Sequence, residues 1–132
     1  MFKGIDHIAV AVANTEEALS VWRDVFGLTV RHTEEVNNNT VRLTHLSAGG
    51  TDIQLVEPLV DSHPLRDWIK NHGSGIHHIC FSADVDKPII DNIKKAGLVP
   101  NQEAPHQGIQ GKWAVFLDKK STGNVVVELT GN

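Results

Sequence analysis

One cysteine, Cys80, is all that the chain carries, so no disulfide can form within it. Its place in the apolar stretch IHHICF marks a packed thiol and fits a reducing compartment. Positive charge is also scarce. Lys and Arg number 12 against 16 Asp and Glu, for a formal net charge of −4 and a pI near 6.0. No basic face for nucleic acid is implied. The longest charge runs are pairs such as Glu34-Glu35 and Lys119-Lys120, expected in solvated turns. Neither a charged-then-apolar leader nor an apolar run of about 18 residues is present, so no secretion signal and no membrane span are expected, and a cytoplasmic protein is the reading. Glycine-rich phosphate loops of the Walker or dinucleotide kind are missing too. No Ser–His–Asp or Cys–His nucleophilic site is supported.

What the chain does have is a phrase written twice: GIDHIAV at 4–10 and GIHHICF at 75–81. Its 132 residues, 40% apolar and 21% charged, suit one globular domain. Residues 5–12 alternate Ile5, His7, Ala9 and Ala11 against Asp6, Ile8, Val10 and Val12, the period of a strand. Asn14 with Glu17 forms a capping box; Ala18, Val21, Trp22 and Val25 fall at helical spacing; Gly27 is placed to end the helix. Strands are predicted at 28–36, 41–47 and 51–57, separated by Asn37-Asn38-Asn39 and Gly49-Gly50. Asp61-Ser62-His63-Pro64 reads as a helix entry with Pro64 in the first turn, and a short connector helix from about Leu65 should end near Gly73. The order then repeats: a strand at 76–83, a helix capped by Asp86 and carrying Ile89, Ile90, Ile93 and Ala96, a stop at Gly97, and strands at about 98–102, 113–117 and 125–129.

Gly4, Ile5, His7 and Ile8 recur as Gly75, Ile76, His78 and Ile79, and Gly27-Leu28 recur as Gly97-Leu98. Aligning the final strands sets Gln54 opposite Glu128. Two copies at this length are too few and too long for a solenoid. The expectation is therefore an α+β fold, one domain of two βαβββ repeats forming a curved mixed sheet around a shared cleft. Repeat one covers about 4–57, the connector helix about 62–73 and repeat two about 75–130.

The repeat selects four polar residues. His7 and His78 hold the same place in the first strand of each half, and Gln54 and Glu128 the same place in the last. Two imidazoles, a carboxylate and an amide oxygen make a site for one divalent ion such as Co²⁺, Mn²⁺, Ni²⁺ or Zn²⁺. A lone strand histidine is more often a hydrogen-bonded core residue. The repeated pair, and the penalty for burying Glu128 within VVVELT without a cation, favour the ligand reading. His77 points to the opposite face from His78 and is assigned a structural or supporting role. The histidines at 32, 45, 63, 72 and 106 show no such relation, and most are expected at the surface.

The stretches DHIAVAVANTEEALSVWRDVFGL, DIQLVEPL, GIHHICF and KSTGNVVVEL together resemble the methylmalonyl-CoA epimerases of the vicinal oxygen chelate, or glyoxalase, superfamily. That resemblance spans about Ile5 to Leu129. It implies a metal held by His7, Gln54, His78 and Glu128, and a substrate whose C2 hydrogen lies between a thioester and a carboxylate. Glu128 is then the first candidate for acid/base work at C2. In a gapless alignment Leu43 stands where some of these epimerases carry a second catalytic Glu, leaving Glu35, His45, Glu57 and Glu103 as polar alternatives. Lys112, Lys119 and Lys120 lie near the segments that resemble the family's substrate-side loops and would meet the phosphates of an acyl-CoA. Gly108 and Gly111 would permit a mobile closing loop. A homodimer is expected from the same resemblance. Rival readings are another metal-dependent superfamily enzyme, such as a lactoylglutathione lyase-like isomerase or a dioxygenase, and a metal-free resistance protein that binds a small molecule.

Overall fold

The computed structural model describes residues 2–85 and 88–131. In chain order the elements are β1 (Phe2–Ala11), α1 (Thr15–Trp22), β2 (Thr29–Val36), β3 (Val41–Ala48), β4 (Thr51–Pro58), α2 (Pro64–His72), β5 (Gly75–Ala83), α3 (Pro88–Lys95), β6 (His106–Gln107), β7 (Trp113–Phe116) and β8 (Val127–Gly131). Strand–helix–three strands thus occurs twice, as the repeat predicts. The chain forms two compact units: His7–His77, and the residues before His7 together with those from His78 onward.

In the unit His7–His77 the ladder order is β2-β3-β4-β1. β2, β3 and β4 form an antiparallel meander, and β1 returns parallel to β4 with Ala9 facing Gln54. The turn between β2 and β3 puts Asn37, Asn38 and Asn39 at positive φ (54°, 58° and 60°), which asparagine tolerates better than other side-chain-bearing residues. Alternation separates two apolar clusters. Val10 and Val12 pack with Leu19 of α1, Leu46 and Leu55, whereas Ala9 and Ala11 pack with Val41, Val56 and Leu65 of α2. Period-two geometry places His7 on the Ala9 face, the face covered by α2.

Asn14 caps α1 as expected, its Oδ1 accepting from the Glu17 N–H at 3.0 Å. The buried face differs from the predicted stripe. Thr15 and Leu19 are buried, while Val21 and Val25 are 44% and 74% exposed. The cause is a clamp at the helix start: Glu57 of β4 accepts from the Thr15 N–H at 2.8 Å and from its hydroxyl at 2.6 Å. α2 begins at Pro64, one residue before the expected start near Leu65, and is capped by His63, whose Nδ1 accepts from the Leu65 N–H at 3.1 Å.

The second unit has the order β5-β8-β7-β6, with β5 parallel to β8 and the others antiparallel. Ile89, Ile90 and Ile93 of α3 lie in one cluster with Val115, Leu117, Val127 and Leu129. Ala96 is exposed instead. Asp86, expected to cap α3, falls outside the described residues. The start of β1 belongs to this unit: the Phe2 ring stacks on Phe81 at 4.7 Å, and the Lys3 Nζ lies 2.7 Å from Asp84.

The strand expected at 98–102 reduces to an isolated bridge between Pro100 and Leu117. The bridge is made by Asn101 N–H to the Phe116 carbonyl at 2.8 Å and Asp118 N–H to the Val99 carbonyl at 2.7 Å, and pairing goes no further because the Val99 N–H turns to the Ser121 hydroxyl at 3.2 Å. The short strand that pairs with β7 is His106–Gln107 instead.

Candidate metal centre

Register explains why the repeat picks out these residues. Gln54 faces Ala9, two residues after His7, and Glu128 faces Cys80, two residues after His78. Each final strand therefore delivers its polar side chain to the same place beside a histidine of the first strand, although the two pairs are distant in sequence.

In the unit His7–His77, His7, His45 and Gln54 are all buried, at 2%, 2% and 4% exposure. The His7 and His45 rings meet edge to face with centroids 5.4 Å apart. Gln54 Nε2 lies 2.9 Å from His45 Nε2, and the other ring nitrogen, Nδ1, lies 3.0 Å from Asp52 Oδ2. Arg31 holds the same carboxylate oxygen, its Nε at 3.1 Å with a second bond from Nη2. Burial drives the His45 pKa below the ordinary imidazole value and outweighs the opposing hydrogen bond to Asp52. For Asp52, partial burial pushes upward, but the hydrogen bonds from Arg31 and His45 and the Arg31 charge win and hold the carboxyl below its ordinary value. A neutral imidazole thus faces an ionised carboxylate.

In the second unit His78 Nε2 lies 3.4 Å from Glu128 Oε1, with side chains 8% and 12% exposed. The Phe116 ring meets His78 edge to face at 5.1 Å, and Phe116 is the antiparallel partner of Glu128. The donor chemistry fits a divalent ion. An imidazole nitrogen and a carboxylate oxygen, each about 2.1 Å from an ion and subtending 90–110°, would lie roughly 3.0–3.4 Å apart. A carboxylate only 12% exposed, opposite Phe116 in the ladder, also favours a cation nearby.

The other candidates sort by their contacts. Glu57 is committed to Thr15 and lies 3.5 Å from the Arg42 guanidinium. Glu35 pairs with Arg42 at 2.8 Å, and Glu103 is exposed. Leu43 packs beside the Ala9–Val56 cluster. His77 packs against Trp68 of α2, centroids 5.0 Å apart, in keeping with a structural role. Lys112 lies 3.6 Å from Asp6, while Lys119 and Lys120 are exposed on a short 3-10 turn capped by Asp118. Cys80 is fully buried; burial first, then the charge and hydrogen bond of Glu128, push its thiol far above the ordinary value.

The expectation that the remaining histidines are mostly superficial fails at His45. A signal for it existed: the tight Gly49-Gly50 turn sets Gln54 directly across the hairpin from His45. The internal repeat also maps His45 onto Phe116, and each stands opposite the polar residue of its final strand.

Comparison with known proteins agrees with this architecture. Residues 6–116 match the glyoxalase/bleomycin resistance protein/dioxygenase superfamily. Mitochondrial methylmalonyl-CoA epimerase of Mus musculus is 32% identical over 126 residues, 95% of this chain and 71% of that one. An ethylmalonyl-CoA/methylmalonyl-CoA epimerase of Cereibacter sphaeroides is 30% identical over 131 residues, 98% of both chains. A methylmalonyl-CoA epimerase variant from Streptomyces coelicolor, solved in complex with 2-nitronate-propionyl-CoA, superposes with a TM-score of 0.89 at 28% identity, covering 98% of this chain and 94% of that chain. The chain belongs to this superfamily and, within it, to the family of the methylmalonyl-CoA epimerases, isomerases of the racemase and epimerase class.

Proposed function

We propose that this protein inverts the configuration at C2 of methylmalonyl-CoA with the aid of one divalent ion, Co²⁺, Mn²⁺, Ni²⁺ or Zn²⁺, held by His7, Gln54, His78 and Glu128. The observation that carries the reading is the His78–Glu128 pair, 3.4 Å apart and sheltered, repeated in type by buried His7 and Gln54. When bound, such an ion supplies Lewis-acid stabilisation of the negative charge that builds up when an acidic C–H beside a thioester is broken.

The chain's own residues do the rest. Glu128 offers a carboxylate able to take the C2 proton or return one, the general acid/base part of the reaction. Inversion needs exchange on both faces of C2, so a second proton carrier must act opposite Glu128. Lys112, Lys119 and Lys120 would meet the CoA phosphates, their charge offsetting an otherwise acidic chain. Cytoplasmic residence and a homodimer complete the reading; no helix among the described residues is long and apolar enough to cross a membrane.

The test is incubation of metal-loaded protein with single epimers of methylmalonyl-CoA and of ethylmalonyl-CoA in D₂O, following configuration and deuterium at C2 by NMR. Inversion with deuterium incorporation is expected. Absence of exchange with every one of the four ions sinks the epimerase reading. Light scattering at micromolar concentration tests the dimer.

A further inference from the structure

The two ends of the Gln54 amide are chemically unlike, and only its oxygen can serve as a ligand. We propose that His45, fixed by Asp52 and Arg31 as the Nδ1–H tautomer, is a positioning residue that accepts a hydrogen bond from the Gln54 NH₂ group and so turns the Gln54 oxygen toward the proposed ion. The proposal rests on the metal-site reading above for the last of these links. The earlier links follow from which atoms have protons to give.

A guanidinium can only donate. Arg31 therefore fixes Asp52 Oδ2 as an acceptor, and an ionised carboxylate has no proton to return. His45 Nδ1, 3.0 Å from the same oxygen, must be the donor. At the other ring nitrogen, Gln54 Nε2 lies 2.9 Å from His45 Nε2 and can only donate, so Nε2 is the acceptor and the ring carries its single proton on Nδ1. The two contacts agree on one tautomer, with the guanidinium at one end of the chain and the amide at the other. The whole chain of contacts is sheltered at its inner end, where His45 and Gln54 are 2% and 4% exposed, so water does not offer competing partners.

The second repeat provides the contrast. At the place of His45 it has Phe116, which cannot accept such a bond, and at the place of Gln54 it has Glu128. The two oxygens of a carboxylate are alike, so Glu128 needs no neighbour to choose which end faces inward. The amide does, and it is the amide that has an imidazole opposite.

The tautomer is read directly on metal-free protein by long-range ¹⁵N–¹H correlation, with the coupling across Gln54 N–H···Nε2 of His45. A proton on Nδ1 and a measurable coupling are expected; a proton on Nε2 overturns the proposal, and no variant need fold for that result. The link to the ion is read by Co²⁺ titration. His45→Phe should weaken Co²⁺ binding about 10–100-fold, the range typical of residues that orient a ligand. His45→Gln, which keeps an acceptor near the Nε2 position, should restore most of it, and His45→Phe should add nothing in a Gln54→Ala background. Unchanged affinity in His45→Phe, or a further loss on the Gln54→Ala background, overturns the positioning role. A wild-type chain with the expected tautomer that takes up no Co²⁺ sinks the metal reading while upholding the hydrogen-bond chain.

Discussion

Glu128 and His78 lie side by side on neighbouring parallel strands, with Oε1 and Nε2 3.4 Å apart. The separation suits two ligands of one ion. His78→Ala and Glu128→Gln should therefore each lower divalent-metal affinity by more than about 100-fold, beyond the effect of residues that merely orient a ligand. Equilibrium dialysis followed by elemental analysis measures this. Stoichiometric metal in His78→Ala would reject the site. Glu128→Gln should also abolish deuterium exchange at C2, because an amide cannot take up the proton.

Glu57 distinguishes a structural acid from a catalytic one. Its Oε1 accepts two hydrogen bonds from Thr15 at the start of α1. Replacing it by Gln retains the shape but weakens the charge-assisted contacts and the favourable placement of negative charge near a helix N-terminus. Glu57→Gln should lower stability by about 1–2 kcal/mol in urea unfolding, with kcat for epimerisation essentially unchanged. A large loss of kcat at unchanged stability would make Glu57 the missing proton carrier.

The same clamp shows where sequence reasoning reaches and where it stops. Two overlapping helical stripes share Ala18 and Trp22: one continues through Val21 and Val25, the other through Thr15 and Leu19. Periodicity alone cannot choose between them. A contact 42 residues away, Thr15 to Glu57, decides for the second. The paired strands, both turns and the repeated His7 and His78 were legible because each is encoded locally or by internal symmetry. His45 enters the sequence reading only as one of four polar alternatives for a second proton carrier, because it has no histidine partner in the other repeat; its partner position is Phe116. The segment after Gly97 failed for a further reason. Leu98–Gln102 has a strand-like pattern, but only one bridge forms, through Asn101 N–H to the Phe116 carbonyl and Asp118 N–H to the Val99 carbonyl, because the Val99 N–H turns to the Ser121 hydroxyl.

Cys80 should behave as an inert thiol. It is fully buried, and burial together with the Glu128 carboxylate raises its pKa far above the ordinary value, so little thiolate exists at working pH. Under native conditions near pH 8 it should react with a thiol-directed aromatic disulfide at least about 100-fold more slowly than after unfolding. Equal rates in native and urea-unfolded protein would contradict the packed-thiol reading. Bound metal should leave the native rate slow, since the limit is access and thiolate formation.

Gly131 ends β8 against the Ala83 backbone, where an added Cβ would collide with the Ala83 carbonyl oxygen. Backbone cannot yield as a flexible side chain does. Gly131→Ala should cost about 1–3 kcal/mol, the range for overpacking a tight site. Gly50→Ala provides the control, because a Cβ there meets nothing within 4 Å and its φ is not in the left-handed region. Urea unfolding of the two variants should separate them clearly; equal stability would mean that the end of β8 shifts freely.

Acid should loosen the start of α2. His63 Nδ1 accepts the Leu65 N–H, which it can do only while that nitrogen is unprotonated. Burial, then the Arg66 charge, hold the His63 pKa below its ordinary value, and burial does the same to His45. The unfolded chain therefore binds more protons than the native one between the lowered native values and about 6.5. Stability rises with pH across that interval and is lost as pH falls below about 6.5. Urea midpoints should accordingly drop between about pH 7.5 and about pH 5.5. His63→Asn keeps a cap that does not titrate, so its midpoint should fall less over the same interval, leaving the share that belongs to His45. The full cap contributes about 0.5–2 kcal/mol, which bounds the difference between the two curves. A His63→Asn curve parallel to wild type would assign the acid sensitivity elsewhere.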